Sequence, residues 1–381
     1  MSGPSTLPLY AGSREAPEPR ERPHAGLWYD KFASKWKGLE GLSPEFGKAE
    51  WTAAFARATG NGVWDLDLLG EAVERQRRLA AALGGQVLLL TSTARFVTGL
   101  GRSHPVENGF AWHPTLGTPY LPGSGLKGVL KSWLEWSREG EAYDRRDEIL
   151  GAPETVGSVA FLDLLPVGPP HLVADIMTPH YADYYQDGKT PGDWMSPVPI
   201  PFLAVEAGQS WQCVVLAGRR DGGQGESLAK LAAAALAEAL AWLGAGAKTA
   251  VGYGRFEVDE AGTQRLEAER DEARLAAEER ARLKRETAGL SPLAVEFHHQ
   301  RRDNAWDTVK DAFVQTAMYG GWMERLEGNP DPAALRMMRE LVDRHFPGLL
   351  SDPDRMEGKK NKPVFKDRQR EFARRFNALG G

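Results

Sequence analysis

The sequence predicts an α+β fold of the ferredoxin-like type, elaborated by insertions and followed by a C-terminal helical extension. Three observations predict it. Hydrophobic patterns over 86–258 follow the order strand, helix, strand, strand, insertion, helix, strand. Two glycine-rich loops flank the helical stretches of that series. From about residue 263 the composition changes to a highly charged helical pattern.

Composition narrows the class of protein. The chain has 381 residues with 42% hydrophobic content, enough to bury a core. A single cysteine, Cys213, excludes an internal disulfide framework and a cysteine-based zinc site. The net charge of −5 argues against a protein that coats nucleic acid through bulk charge. No apolar run approaches the ~20 residues that a membrane span needs.

The chain is expected to divide into three parts. Residues 1–25 are polar and Pro-rich without a signal-peptide pattern, so we expect a disordered arm on a cytoplasmic protein. Residues 26–262 would form the ferredoxin-like domain, opening with a helical segment whose aromatic residues pack a core. Residues 263–381 would form a charged helix and a small helical region.

The first strand is predicted over 86–95, with Thr91, Thr93 and Arg95 alternating onto one face. A long Gly- and Pro-rich loop follows over 99–122. Ser124 is then placed to cap a helix. Its core-facing stripe, spaced at i, i+3, i+4, i+7 and i+8, consists of Leu126, Val129, Leu130, Trp133 and Leu134.

The remaining core elements follow the same series. Residues 157–162 and 172–177 predict a pair of strands, and 200–216 predicts a hairpin. An Ala/Leu-rich helix over 227–243 leads to the last strand at 253–258. Near the C-terminus, 355–375 holds nine basic and three acidic residues. Such a run is typical of a solvated tail or helix face, and a contact with RNA or a neighbouring subunit is the alternative.

Two glycine loops stand out as candidate functional elements. The first, over 122–128, enters the capped helix, and free amides at a helix N-terminus attract phosphate. The second, over 244–256, runs into the last strand and carries Lys248, Tyr253 and Arg255. Neither is a P-loop, because Leu126 and Ala247 precede the lysines where glycine is required. A tight turn remains the simpler interpretation of either loop taken alone.

Together, the motifs resemble a known family. PYLPGSGLKGVLKSWLEW and GAGAKTAVGYGRF are similar to the internal and C-terminal glycine signatures of the RAMP superfamily of CRISPR proteins. HPVENGFAWHPTLGTPYLPGSGLKG, followed by DIMTPHYADYY, DW and PVPIPFL, resembles the subunit six family of Cmr (type III-B) effector complexes. The resemblance covers roughly 86–258 and does not extend to the charged helix or the region after it.

The resemblance implies a non-catalytic structural subunit that binds CRISPR guide RNA near its 3′ end. The partners it implies are other Cmr-type subunits and, through the guide duplex, target RNA, with no membrane, metal or cofactor. Lys127, Lys248, Tyr253 and Arg255 would contact RNA backbone by position in the family's loops, whereas Arg95 and Lys131 are added from predicted geometry. The loop residues expected beside them are Gly123, Ser124, Gly125, Gly246, Thr249, Gly252 and Gly254.

Two other functions stay open. Some RAMP relatives cut RNA with an aspartate or a histidine, so an endoribonuclease that processes precursor guides is the alternative. The candidates would be His104, His113, His171, His180, Asp175 and Asp183, which show no recognisable metal-ligand spacing. A protein–protein adaptor without RNA contact is the third possibility.

The segment 180–197 is aromatic yet broken by Gly and Pro, and it shows neither a helix nor a strand period. Its aromatic side chains, Tyr181, Tyr184, Tyr185 and Trp194, suit an interface or stacking on unpaired bases. RAMP subunits are similar in projecting a thumb-like loop. We therefore expect this segment to contact RNA or a neighbouring subunit. The alternative is a surface loop folded back on its own domain.

Overall fold

A computed structural model of the chain describes residues 24–33, 47–60, 62–218, 224–358 and 362–380. The predicted arm over 1–25 lies outside the described residues except for His24 and Ala25, which begin the first helix. The chain forms two compact units, Met1–Asp271 and Glu272–Gly381. No helix within these described ranges is long and apolar enough to cross a membrane.

The first unit mixes helices and short strands. Its helices are α1 (Ala25–Lys31), α2 (Lys48–Thr59), α3 (Leu66–Leu83), α4 (Gly123–Ser137), α5 (Glu141–Asp144), α6 (Arg146–Leu150), α7 (Ala182–Asp187), α8 (Gly225–Trp242) and the start of α9 (Glu260–Glu286). Its strands are β1 (Gln86–Ser92), β2 (Ser103–His104), β3 (Glu107–Asn108), β4 (Gly151–Ala152), β5 (Thr155–Val156), β6 (Val159–Phe161), β7 (Leu165–Pro166), β8 (Leu172–Met177), β9 (Ile200–Val205), β10 (Ser210–Ala217) and β11 (Phe256–Val258).

The central sheet is antiparallel and has the strand order β11-β1-β10-β6, with β7 also paired to β10. Leu88 lies opposite Cys213 and Leu90 opposite Trp211 in the β1–β10 register. This sheet together with its helices makes the unit α+β, as the hydrophobic pattern predicts. Strand β1 ends at Ser92 rather than continuing to residue 95, so the predicted alternation of Thr93 and Arg95 on a strand face is wrong.

Both faces of the central sheet are covered by helices. Trp211, Cys213 and Val215 face the core that α4 and α8 complete. On the opposite face, Val214 packs against Ala80 of α3. The fully buried side chain of Gln212 donates to the carbonyl of Val73 in α3, at 3.0 Å. The α3 helix therefore covers the face that an RNA-recognition sheet leaves open.

A separate two-stranded ribbon, β8–β9, carries the aromatic segment at its tip. All six residues of β8 pair with β9, from Leu172 opposite Val205 to Met177 opposite Ile200. Two predicted strand pairings are consequently wrong. The 157–162 strand pairs with β10 and not with 172–177, and 200–216 contributes its two strands to different sheets. A strand pattern identifies an extended segment but carries little information about its partner.

The second unit is a helical bundle with its own core. Its elements are the end of α9, α10 (Pro292–Asp303), α11 (Lys310–Ala312) with the following π-helical turn (Phe313–Met318), α12 (Trp322–Gly328), α13 (Pro332–His345), β12 (Met356–Glu357), β13 (Lys362–Pro363) and α14 (Asp367–Ala378). Helix α14 buries Phe372, Ala373 and Phe376 in that core. On its other side, Arg374 pairs with Asp354 at 2.8 Å and Arg375 with Glu327 at 2.8 Å. The second half of the basic run is thus a packed, internally paired helix, and residues 359–361 of the run lie outside the described residues.

Candidate functional site

The first glycine loop is a packing element as well as a turn. A Cβ atom at Gly123 would clash with the carbonyl oxygen of Phe161 in β6, so only glycine allows this approach. The amide of Gly123 donates to a carboxylate oxygen of Asp163 at 2.8 Å. Asp163, from the neighbouring strand region, therefore satisfies the start of α4, and the predicted cap by Ser124 is wrong because no side-chain cap forms there.

Two lysines of α4 remain on the surface. Lys127 is exposed one turn into the helix, and Lys131 is exposed one turn later. The ammonium of Lys131 lies 3.8 Å from a carboxylate oxygen of Glu135, so part of its charge is balanced within the helix. Ser124 is also exposed, while Gly125 packs close to Leu121. The first loop thus offers Lys127 and Ser124 to an external ligand.

The second glycine loop is held in an unusual backbone conformation. Gly246 and Gly254 both have positive φ, and a Cβ atom on either would clash with a carbonyl oxygen, that of Val97 or Ala245. Lys248 also has positive φ, 62°, although it is not glycine. A left-handed conformation costs a residue with a Cβ about 1–2 kcal/mol, so neighbouring contacts must hold it.

Contacts with the β8–β9 ribbon hold Lys248. Its ammonium lies 3.8 Å from the sulfur of Met177 and 5.3 Å from the ring centre of Phe202. Thr249 then opens a 3₁₀ turn that ends at Gly252. Farther along, Arg255 reaches the carbonyl of Ala241 in the last turn of α8, at 3.5 Å. The half-buried Lys248 therefore sits at the junction between the loop and the ribbon.

Arg95 lies at the same junction but is not a free cation. Its Nη1 donates to Asp175 of β8 at 2.9 Å, and its Nε donates to Glu206 at 3.2 Å. The hydroxyl of Tyr253 donates to the same Asp175 oxygen at 2.5 Å. Two carboxylates thus surround the single charge of Arg95. Its contact with RNA backbone stays a prediction, and in that contact a phosphate would compete with Asp175 and Glu206.

The electrostatics of this network favour its ionised form. Burial alone would raise the pKa of Asp175, but hydrogen bonds from Tyr253, the Ile176 amide and Arg95 outweigh it and lower that pKa. The bond to Asp175 raises the pKa of Arg95. Burial and the same carboxylate raise the pKa of Tyr253 to about 12. Asp175 is thus a fixed anion that receives three donors.

The aromatic segment projects from the ribbon's end, beyond Met177. It contains the short helix α7, whereas no helical period is evident in its sequence. Tyr185 and Trp194 are 78% and 77% exposed, and Tyr184 and Tyr181 are 45% and 38% exposed. Lys189 pairs with Asp183 at 3.0 Å and braces the turn after α7. We call residues 178–199 the thumb.

Two of the six catalytic candidates, His104 and His113, have structural contacts. His104 stacks on Tyr29 in the interior, and burial lowers its pKa. The ring of His113 accepts the amides of Thr115 and Leu116, which close a local turn. Across the part of the chain that the structure describes, no three His, Cys, Asp or Glu side chains are grouped to hold a metal ion.

The structure thus brings Arg95, Lys248 and Tyr253 together and leaves the first loop anchored on β6. Sequence reasoning missed three partners, Asp163, Asp175 as a structural anion, and Glu206. Asp175 is 80 residues from Arg95 along the chain and 78 from Tyr253. The pairing of β8 with β9 and the path of the chain after β1 bring these three residues together. Neither is evident from the local sequence pattern.

The chain is similar in sequence to one protein superfamily and to two characterised members of a CRISPR subunit family. A sequence model of the RAMP superfamily matches residues 59–257, just over half of the chain. The CRISPR system Cmr subunit Cmr6 of Pyrococcus furiosus is 29% identical, over 43% of this chain and 65% of that protein. The corresponding subunit of Saccharolobus solfataricus is 29% identical, over 40% of this chain and 49% of its own length. The chain thus spans less than two thirds of either relative.

Among solved structures, a chain in the cryo-EM structure of the type III-B Cmr-β complex bound to cognate target RNA is 23% identical, with a TM-score of 0.43. That match covers 54% of this chain and 72% of the other. The crystal structure of Cmr6 from Pyrococcus furiosus is 26% identical with a TM-score of 0.31, covering 46% of this chain and 97% of the other.

Proposed function

Because this chain belongs to the RAMP superfamily, we propose that it is a structural, RNA-binding subunit of a type III-B CRISPR effector complex. In this role it binds the backbone of the guide RNA near its 3′ end and packs against other Cmr-type subunits in the cytoplasm. Target RNA is reached through the guide duplex. The thumb contacts RNA or the next subunit.

The observation that carries the proposal is the geometry of the second glycine loop. Gly246 and Gly252 are exposed on either side of Lys248 along the chain, and a phosphate can approach the backbone closely at a glycine. Lys248 is held in a strained conformation by the ribbon, as expected of a preorganised binding residue. Lys127, exposed near the start of α4, supplies a second cation in the first loop.

We also propose that the central sheet is a ferredoxin-like platform that does not itself bind RNA. The strand order β11-β1-β10-β6 and the two helices α4 and α8 on one face are the features expected of that fold. The opposite face is occupied by α3, which bonds to Gln212. RNA is therefore bound by loops at the edge of the domain, and backbone contacts predominate over base readout.

The proposal assigns no catalytic step to the chain. A general base needs a pKa near neutrality, and the hydrogen-bonded Asp175 has its pKa moved the other way. The endoribonuclease alternative is tested by incubating the full chain with labelled precursor guide RNA, with and without divalent metal. Specific cleavage that Asp175→Ala or His180→Ala abolishes would establish the alternative in place of the structural role.

The central experiment measures RNA affinity as a function of salt. Lys248→Glu and Lys127→Glu in the full chain should each weaken binding of guide-length single-stranded RNA and reduce the salt slope by about 1, because each removes about one phosphate contact. Lys230→Glu, an exposed lysine of α8, is the matched control and should leave the slope unchanged. Wild-type affinity and slope in the double variant would mean that the loops are only turns.

Co-purification tests the assembly. The tagged full chain should bring down Cmr-type subunits and a small RNA of uniform length. Ultraviolet crosslinking of that RNA should map to 122–128 or 244–256. A stable complex without an RNA crosslink to either loop would favour the adaptor.

A further inference from the structure

We propose that Asp175 is a positioning residue that couples the second glycine loop to the thumb, so that RNA binding at Lys248 and the orientation of the thumb depend on one another. This inference rests on the proposed RNA-binding function and adds the residue through which the two RNA-facing elements communicate.

Asp175 joins three segments of the chain through its two oxygens. One oxygen accepts both Nη1 of Arg95 at 2.9 Å and the hydroxyl of Tyr253 at 2.5 Å. The other accepts the amide of Ile176 at 2.8 Å, which fixes the carboxylate relative to its own strand. Arg95 lies in the segment after β1 and Tyr253 at the end of the glycine loop. A single carboxylate therefore ties that loop to the ribbon.

Because Asp175 lies near the end of β8, its bond to Tyr253 connects the glycine loop to the base of the thumb. Strand β8 ends at Met177, two residues later, and the thumb begins at residue 178. Met177 is also the residue whose sulfur contacts the ammonium of Lys248. Two residues of one strand thus hold the two sides of the 3₁₀ turn within the loop, Lys248 through Met177 and Tyr253 through Asp175.

The loop needs this support because its backbone is strained. Lys248 adopts a left-handed conformation that a residue with a Cβ avoids by about 1–2 kcal/mol. The carbonyl of Lys248 accepts the amides of Val251 and Tyr253, each at 3.2 Å. Displacement of Tyr253 therefore loosens the turn that keeps Lys248 in place. We call the state in which Asp175 bonds to Tyr253 and Met177 contacts Lys248 the clamped state. RNA that binds Lys248 favours this state, and by linkage RNA binding also stabilises the orientation of the ribbon and the thumb.

The direction in which Asp175→Asn changes RNA affinity separates a positioning role from a purely electrostatic one. Asp175→Asn removes a negative charge near bound RNA, so charge alone would strengthen RNA binding. Loss of the clamp would weaken it. Glu206→Gln is the matched control, because it removes a charge of the same sign beside Arg95, while the hydroxyl of Tyr253 donates to Asp175 and keeps that bond.

The experiment compares RNA affinity and salt slope for the full-length wild type, Asp175→Asn, Tyr253→Phe, Glu206→Gln, Lys248→Gln and the Asp175→Asn/Lys248→Gln double variant. The probe is a guide-length single-stranded RNA. Asp175→Asn and Tyr253→Phe should each weaken binding about five- to tenfold, toward the low end of typical coupling factors. Glu206→Gln should equal or exceed the wild type. The effect of Asp175→Asn should largely vanish in the Lys248→Gln background.

Hydrogen exchange provides a second readout. RNA should slow amide exchange in residues 178–199 of the wild type but not of Tyr253→Phe, which keeps every charge. Binding by Asp175→Asn as tight as that of Glu206→Gln, or full additivity with Lys248→Gln, would overturn the coupling. No effect of Lys248→Gln itself would instead contradict the proposed function of the loop, so the two failures are distinguishable. If Asp175→Asn does not fold, exchange of residues 178–199 in Tyr253→Phe at saturating RNA decides the question, because loss of a direct Tyr253–RNA contact alone would leave that protection intact.

Discussion

At the scale of single residues, glycines carry much of the site, and they do so for different reasons. Gly123 is required because β6 lies against it, whereas Gly246 and Gly254 combine positive φ with close backbone approach. Gly128, in the same GSGLKG motif, has open space around it and lies in the exposed part of α4. The sequence motif does not distinguish these cases, because a glycine pattern shows where a side chain is missing and not which neighbour requires its absence.

This difference predicts opposite effects for two neighbouring substitutions. Gly123→Ala should destabilise the first unit by about 1–3 kcal/mol, the usual cost of forcing an extra methyl group into a packed site. Gly128→Ala should stabilise it by about 0.5–1 kcal/mol, because alanine in a helix loses less backbone entropy on folding. Urea denaturation of the two full-length variants measures both. Equal effects would mean that the motif is retained for the turn alone.

The pKa shift of Asp175 predicts a dependence of stability on pH. Its folded pKa lies below the ordinary value of 3.8, so the folded state favours the carboxylate. The stabilisation is complete above pH 3.8 and is lost as pH falls through the lowered folded pKa. The difference in unfolding free energy between the wild type and Asp175→Asn should therefore be constant from pH 7 to about 5 and shrink below pH 4. A difference that grows on acidification would contradict this sign.

At the scale of elements, hydrophobic period predicts the long helices and the central strands well. Helices α4 and α8 lie within a few residues of their predicted bounds, and the apolar stripe of α4 is buried except for half-buried Val129. Strand partners are less predictable. Consecutive strands β9 and β10 resemble a hairpin in sequence, yet β9 pairs with β8 and β10 with β1. Only tertiary packing, including α2 against the ribbon, decides between these pairings.

The thumb is an element that the ribbon presents rather than part of a core. Replacing Tyr184, Tyr185 and Trp194 with alanine should leave the melting temperature nearly unchanged, because all three side chains are exposed. Incorporation into the effector complex should be lost if they stack on bases, since each base–aromatic stack contributes ~1–3 kcal/mol. Differential scanning fluorimetry and co-purification measure the two quantities.

Trp136→Ala is the matched control for the thumb. Trp136 is 68% exposed on α4 and lies outside the thumb, so it tests whether any exposed tryptophan affects assembly. A large fall in melting temperature for the triple variant would place the aromatic residues in a core. Equal loss of incorporation for Trp136→Ala would mean that assembly depends on exposed aromatic surface in general.

At the scale of the whole molecule, the change in composition and the division into compact units fall at different residues. The sequence marks a change of composition near residue 263, while the compact units divide at Asp271. The discrepancy has a physical cause, because α9 begins inside the first unit before it becomes solvent-exposed. The first turn of α9 is packed against the first unit, with Gly262 and Thr263 buried. The mixed-charge sequence of the helix does not indicate this.

The contacts of the first turns of α9 predict which C-terminal truncations leave a stable first unit. The hydroxyl of Thr263 accepts the amide of Leu89 in β1 at 3.0 Å, and Arg270 donates to the carbonyl of Gly85 at 3.2 Å. A chain ending at residue 271 keeps both bonds and should unfold in one cooperative transition. A chain ending at residue 262 should also fold, because the last strand ends at Val258, but it should be less stable by about 1–3 kcal/mol, since the Leu89 amide loses its partner.

Urea denaturation of the two truncated chains measures this difference, and Thr263→Val in the longer chain provides the control that removes the hydroxyl while keeping the helix. If the longer chain loses cooperative unfolding, the second unit is integral to folding of the first. If the two truncated chains are equally stable, the start of α9 contributes nothing to the free energy of unfolding of the first unit.

Incorporation of the longer chain into the effector complex reports separately on the second unit. Reduced incorporation with intact folding and RNA affinity would assign assembly to residues 272–381, which lie outside the region matched by the RAMP superfamily.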